Sequence, residues 1–220
     1  MLLWATSDIF KMFFTNYKTI FVHIPKTGGS SLEYAICKKI FNTPSYPQAD
    51  KLGYENLTIN GFFKKSKRGT GNGHPHSCIS EYAKYLPIEE YIKFTVLRNP
   101  FDQVISLYNQ MRKIIHIPSL EHFIMSNDAN SIRNYSHYID QYKYTHIDNQ
   151  FKIDKVFIFD CYEEVQDFVE KKFELKIDRD KRIWQTEYTK EDMSQEMKDK
   201  FESIHFKSID LYSKFHKDKR

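Results

Sequence analysis

The sequence predicts an α/β fold, a three-layer arrangement in which a parallel sheet is flanked by helices. Three apolar runs rich in β-branched and aromatic residues predict strands, at Thr19 to Ile24, Lys93 to Leu97 and Lys155 to Phe159. A segment with helical spacing of apolar residues follows each run. Strands that alternate with helices favour a parallel sheet, whose ligands bind beyond the carboxyl ends of the strands.

Helix boundaries follow from the apolar spacing and from residues that suit helix ends. The first helix is expected over Ser31 to Phe41. The second should begin at Asn99 and Pro100, which suit the N-cap and first helical positions. Thr189 and Asp192 indicate a capping box for a C-terminal helix.

Length and composition favour one compact domain over residues 1–220, because 40% of the residues are hydrophobic. Residues 43–73 are polar, with the basic run Lys64 to Arg68, and predict a long surface excursion. That run is either a solvated loop or a rim that contacts an acidic acceptor. The net charge of +4 suits an anionic ligand, but it is too small by itself to indicate nucleic acid, whose binding proteins usually have a concentrated basic face.

The cysteines and the N-terminal segment indicate a cytoplasmic protein. Cys37, Cys78 and Cys161 are odd in number and form no CxxC, which argues against a disulfide framework or a zinc site. Met1 to Phe14 is too short to span a membrane and lacks the basic n-region of a signal peptide. We therefore expect no transmembrane segment, and a packed N-terminal element instead.

The first predicted strand runs into a loop that suits a phosphate or sulfate group. Gly28 and Gly29 allow the backbone to approach an anion, Lys26 adds a positive charge, and the following helix N-terminus favours negative charge. The loop's hydroxyl side chains belong to Thr27, Ser30 and Ser31. The order differs from GxxxxGK[ST], so no Walker-type magnesium site is indicated. The alternative is a plain strand-to-helix turn that contains glycine.

A second loop follows the second strand. Arg98 stands where that strand ends, and Ser106 lies eight residues further on, about two helical turns into the next helix. The planar guanidinium suits a phosphate, and a serine hydroxyl can complete the site. A structural ion pair is the alternative role for Arg98.

Between these loops lies the sequence His74-Pro-His76. An imidazole titrates near neutral pH, so it can take the proton of an attacking hydroxyl group. Either histidine could instead be an ordinary surface residue.

These motifs resemble those of the sulfotransferases that use 3′-phosphoadenosine-5′-phosphosulfate (PAPS). His23 to Ser31 is similar to their 5′-phosphosulfate loop, especially in the carbohydrate branch that includes heparan sulfate 2-O-sulfotransferase. The resemblance implies a P-loop-NTPase-like sulfotransferase fold. It implies that Lys26 contacts the phosphosulfate and stabilises the leaving phosphate, and that Thr27 to Ser31 surround the 5′-phosphate.

The second loop and the histidines extend the resemblance. Phe94 to Tyr108 is similar to the family's 3′-phosphate motif, which implies that Arg98 and Ser106 hold the 3′-phosphate. The family's common pattern has a further arginine where this chain has Gln103. The paired histidines resemble those of the 2-O-sulfotransferases, which implies His76 as general base, with His74 as an assistant or an acceptor contact.

The resemblance implies transfer of a sulfuryl group from PAPS to a hydroxyl acceptor, expected on a glycan or oligosaccharide, without a metal and with release of 3′,5′-adenosine bisphosphate (PAP). Two alternatives remain. One is a nucleotide or small-molecule kinase, which the missing Walker A loop and the Arg98–Ser106 motif disfavour. The other is a non-catalytic module that binds anionic glycans.

Overall fold

The computed structural model describes residues 13–41, 76–84, 86–127, 129, 131–135, 138–179 and 192–217. The predicted surface excursion at 43–73 lies outside the described residues, as do His74 and Thr189.

The strands form one larger sheet and one small hairpin. They are β1 (Phe13–Phe14), β2 (Thr19–Val22), β3 (Ile92–Leu97), β4 (His146–Ile147), β5 (Gln150–Phe151) and β6 (Lys155–Ile158). The larger sheet has the order β1-β2-β3-β6, and β2, β3 and β6 are parallel. This confirms the predicted α/β fold. The sheet also has an antiparallel edge strand, since β1 pairs with β2 through Phe13 and Ile20.

The helices are α1 (Gly29–Phe41), α2 (Ile79–Ala83), α3 (Pro100–Met111), α4 (Leu120–Met125), α5 (Ile132–Tyr135), α6 (Gln141–Thr145), α7 (Tyr162–Phe173) and α8 (Gln195–Lys217). Asn99 caps α3 as predicted, because its side-chain oxygen accepts a 3.0 Å hydrogen bond from the Phe101 N–H. Within the described ranges, no helix is long and apolar enough to cross a bilayer.

Two helix starts differ from the sequence prediction. Helix α1 begins at Gly29 rather than Ser31, so the second glycine of the loop already belongs to the helix. Helix α8 begins at Gln195, after the predicted capping box. The hydroxyl of Ser194 accepts a 3.2 Å hydrogen bond from the Met197 N–H and so caps this helix.

Two hydrophobic clusters hold the helices against the sheet and against each other. The first packs α1, α2 and α7 on the sheet strands, and the second packs α3 with α4 and α8. Phe21 and Phe94 lie opposite each other on β2 and β3, with their rings stacked at 4.6 Å. Both side chains are fully buried, and each contributes about 1.5–3 kcal/mol of hydrophobic stabilisation. The adjacent ends of β2 and β3 are therefore held rigidly.

Candidate functional site

The loops that leave β2 and β3 open into one cleft. Its volume is about 2040 Å³, larger than the roughly 300–1,000 Å³ of a single small-molecule pocket. The predicted site residues that line the cleft are Lys26, Gly28, Gly29, Ser30, Ser31, His76, Arg98 and Ser106. Residues that are far apart in the sequence therefore surround one space.

The first loop is a tight turn that needs glycine at one position. Gly28 has a φ of +84°, and a Cβ atom there would lie 2.9 Å from Cε2 of Tyr162. The Tyr162 hydroxyl donates a 2.7 Å hydrogen bond to the Gly28 carbonyl and fixes the turn. Thr27 is fully buried, and its hydroxyl donates to the Ile24 carbonyl at 2.8 Å. In this structure its side chain secures the loop rather than lining the cleft.

Helix α1 directs its N-terminus into the cleft. Its first turn contains Ser30 and Ser31, which are half-buried and line the cleft. The amide N–H groups at a helix N-terminus and the positive end of its dipole favour a bound anion. The first loop therefore offers backbone donors and hydroxyl groups next to the Lys26 ammonium.

Arg98 is fixed against this loop by contacts at both of its ends. The Gln141 side chain accepts from the Arg98 N–H at 3.1 Å and donates to the Arg98 carbonyl at 2.7 Å. The guanidinium donates from Nη1 to the Lys26 carbonyl at 3.0 Å, and it lies 4.5 Å from the centroid of the Phe159 ring. Its position is therefore set before any ligand binds.

Gln103 joins the second loop to the first. Its side chain is fully buried, and Nε2 donates a 2.8 Å hydrogen bond to the Pro25 carbonyl. Where the common family pattern has a second arginine, this chain thus has a neutral link between α3 and the first loop. Ser106 follows on the same helix, mostly buried, and lines the cleft.

Positive charges near Lys26 repel its ammonium group. Burial lowers the pKa of Lys26 from its usual 10.5 to about 8, and the positive charges of Arg98 and Lys113 act in the same direction. A bound anion would relieve both the repulsion and the cost of burying the ammonium. The electrostatics therefore indicate an anionic ligand.

The surroundings of His76 determine which of its ring nitrogens can act as a base. Its Nδ1 lies 3.1 Å from the backbone carbonyl of His23. Because a carbonyl only accepts, Nδ1 carries the proton in the neutral ring, and Nε2 is the basic nitrogen. The His76 and His23 rings meet edge to face at 4.4 Å. Nδ1 of His23 in turn lies 3.2 Å from Oε2 of Glu33.

Sequence reasoning missed the residues that hold this site together. Gln141 and Tyr162 belong to later elements of the chain, and no local pattern connects them with the loops that they fix. Glu33 lies in the first helix as an apparently ordinary polar residue, although its side chain is only 9% exposed. Its position three residues before the apolar Ile36, on the same face of that helix, was the sequence signal for its burial.

Within the described ranges, no group of three His, Cys, Asp or Glu side chains could hold a metal ion. A sequence model described as the Sulfotransferase family matches residues 11–213, which include both loops and His76. Comparisons with curated proteins and with solved structures found no match.

Proposed function

This chain belongs to the sulfotransferase family, and we propose that it transfers a sulfuryl group from PAPS to a hydroxyl group on a carbohydrate acceptor. Family membership supports sulfuryl transfer in general, and PAPS is the donor that the family generally uses. One observation carries the proposal that PAPS is the sulfuryl donor. Lys26 and Arg98 follow neighbouring parallel strands and meet in one cleft, with the Arg98 guanidinium bonded to the Lys26 carbonyl.

The positive charges and hydrogen-bond donors of the cleft fit the two separate anionic groups of PAPS. Lys26, the N-terminus of α1 and residues Gly28 to Ser31 would bind the 5′-phosphosulfate, and Thr27 would hold the loop in shape. Arg98 and Ser106 would bind the 3′-phosphate, the group that distinguishes PAPS from ordinary adenine nucleotides. Contacts within the protein hold the Arg98 guanidinium and the backbone at Pro25 and Lys26 in place, so these parts of the site need little ordering on binding.

His76 is the proposed general base. Its Nε2 takes the proton of the acceptor hydroxyl as that oxygen attacks sulfur in line and the bond from sulfur to the phosphate oxygen breaks. Lys26 and the N-terminus of α1 stabilise the negative charge that develops on the departing phosphate of PAP. A positioned base contributes about 10²–10⁴-fold to such a rate. His74, outside the described residues, is proposed as an assistant or an acceptor contact.

A carbohydrate acceptor is supported by the resemblance of the paired histidines to those of the 2-O-sulfotransferases. One part of the cleft rim is basic and would suit an acidic sugar. Lys38 and Lys39, in the last turn of α1, and Lys113, after α3, are exposed and line the cleft. They would attract an anionic chain without fixing its geometry.

Thermal-shift measurements with PAP and with ATP plus magnesium test the donor site. PAP should raise the melting temperature progressively with its concentration, because a ligand that binds only the folded state stabilises it. ATP with magnesium should have a much smaller effect. The opposite order would favour a kinase. Strong stabilisation by PAP without any turnover of PAPS across a panel of acceptors would favour a non-catalytic glycan-binding module.

A further inference from the structure

His23 lies directly behind the proposed base and is held in one orientation. Its side chain is 3% exposed, and its ring stacks on Phe21 with centroids 5.4 Å apart. On the side facing the helix, a Cβ atom on Gly29 would lie only 2.1 Å from Cδ2 of His23. The missing side chain at Gly29 therefore makes room for this ring, and the ring plane is fixed by its surroundings.

The partner of His23 is a buried carboxylate. Oε2 of Glu33 lies 3.2 Å from Nδ1 of His23, at ion-pair distance although the donor is not aligned well enough for a good hydrogen bond. A carboxylate so close to Nδ1 favours a proton on that nitrogen. Since Phe21 and Gly29 already fix the ring plane, the main contribution of Glu33 is its charge rather than steric support.

His23, the imidazole member of this pair, makes two contacts with the proposed base His76. The backbone carbonyl of His23 accepts the Nδ1–H of His76 at 3.1 Å, and the two rings meet at 4.4 Å. We propose that Glu33 and His23 form a buried acid–base pair that orients His76 and stabilises its imidazolium form after it has taken the proton of the acceptor. Both are positioning residues, and the proposal rests on the assignment of His76 as the base.

Other titratable groups around this cluster do not replace the charge of Glu33. Burial raises the pKa of Cys78 to about 12 and raises that of Tyr82 as well, so both are neutral at pH 7. Glu81 accepts a hydrogen bond from the Cys78 N–H at an exposed position, where solvent screens its charge. Lys26 and Arg98 line the same cleft as His76, and their positive charges oppose its protonation. Among the described residues around His23, Glu33 is therefore the buried carboxylate.

The pair can be tested by removing the charge at nearly constant shape. We would titrate the imidazole resonances of His76 by NMR in the wild type, Glu33→Gln and Glu33→Asp, using His76→Ala to assign the signal. In Glu33→Gln the pKa of His76 should fall by about half to one pH unit, the order expected for a unit charge at short range in a partly buried site. Glu33→Asp keeps the charge and should restore most of the shift.

Glu163→Gln is the matched control, because it removes an exposed carboxylate that also lines the cleft but lies on α7, which follows β6. It should leave the titration of His76 unchanged. With an active acceptor, the acid limb of the kcat profile should move to lower pH in Glu33→Gln, while the affinity for PAP stays constant. An unchanged pKa of His76 in Glu33→Gln overturns the inference.

Failure of the proposed function looks different. If the wild type binds no PAP or never turns over PAPS, the assigned reaction is wrong, whereas the NMR titration still reports whether Glu33 and His76 are coupled. If Glu33→Gln does not fold, the ¹⁵N shifts of His23 in the wild type decide. We expect Nδ1 of neutral His23 to carry the proton, and a proton on Nε2 would contradict the pairing.

Discussion

Replacing Gly29 with alanine should destabilise the protein through a single side chain. The new Cβ would lie 2.1 Å from Cδ2, 2.4 Å from Nε2 and 2.9 Å from Cγ of His23. Ordinary contacts between carbon atoms are about 3.5–4.0 Å, so the overlap exceeds about 1 Å. The His23 ring has little space to move away, because it stacks on Phe21 and its Nδ1 faces Glu33.

Overpacking of this kind costs about 1–3 kcal/mol. Once His23 is replaced by alanine, the same Gly29→Ala change should cost close to nothing, because the space is open and alanine suits a helix better than glycine. Urea denaturation of the wild type, both single variants and the double variant gives the coupling energy, which we expect to be about 1–3 kcal/mol.

Gly28→Ala is the control for this cycle, because a Cβ atom there meets Tyr162 and Phe159 instead of His23. Gly28→Ala should lower the free energy of unfolding by the same amount in the wild type and in the His23→Ala variant. Additivity of Gly29→Ala and His23→Ala within about 0.5 kcal/mol would refute the reasoning, since contacts that are independent add to that precision.

Three further predictions concern the ligands and the base. His76→Ala should bind PAP as the wild type does by calorimetry but lose turnover by about 10²-fold or more; near-normal turnover would remove His76 from the role of base. Arg98→Ala should lower the affinity for PAP by about tenfold or more, as loss of a charge-assisted hydrogen bond does. It should lower the affinity for AMP, which has no 3′-phosphate, much less. Equal losses of affinity for the two ligands would contradict the assignment of Arg98 to the 3′-phosphate. The pKa of Lys26 is about 8 in the free protein, and a bound anion should raise it. Above pH 8 the binding of PAP is therefore accompanied by the uptake of a proton. In that range the affinity for PAP should fall by up to about tenfold for each pH unit. Lys26→Arg should flatten that dependence, and an equally steep profile in this variant would exclude Lys26 as its source.

The predicted parts of the fold are those whose signals are local. The run at β2 is apolar and β-branched, and the lysine, glycines and serines that follow it are, in that order, typical of an anion-binding loop. Asn99 and Pro100 predicted the start of α3 for the same reason, since capping depends on adjacent residues. The position of Arg98 at the edge of the sheet could be predicted because this residue directly follows a buried strand.

The remaining features depend on contacts between distant segments. Gln141 binds the backbone of Arg98 across 43 residues, and no spacing rule connects the two. The edge strand β1 has two residues, too few for an alternating pattern. Gly29 looked like a residue chosen for an anion, yet its closest neighbour is the His23 ring. The capping box predicted from Thr189 and Asp192 lies partly outside the described residues, and α8 begins at Gln195, where the Ser194 hydroxyl accepts from the Met197 N–H.

The central claim is transfer of a sulfuryl group from PAPS. The most direct test is to incubate the protein with PAPS and a panel of glycans and other hydroxyl acceptors, and to follow PAP and the acceptor by mass spectrometry. We predict equal amounts of PAP and of an acceptor that has gained one sulfuryl group, with both nearly lost in His76→Ala. A sulfated product found only among the non-glycan acceptors would contradict the carbohydrate assignment. Absence of acceptor-dependent PAP across the panel, from a protein that binds PAPS, would contradict the central claim.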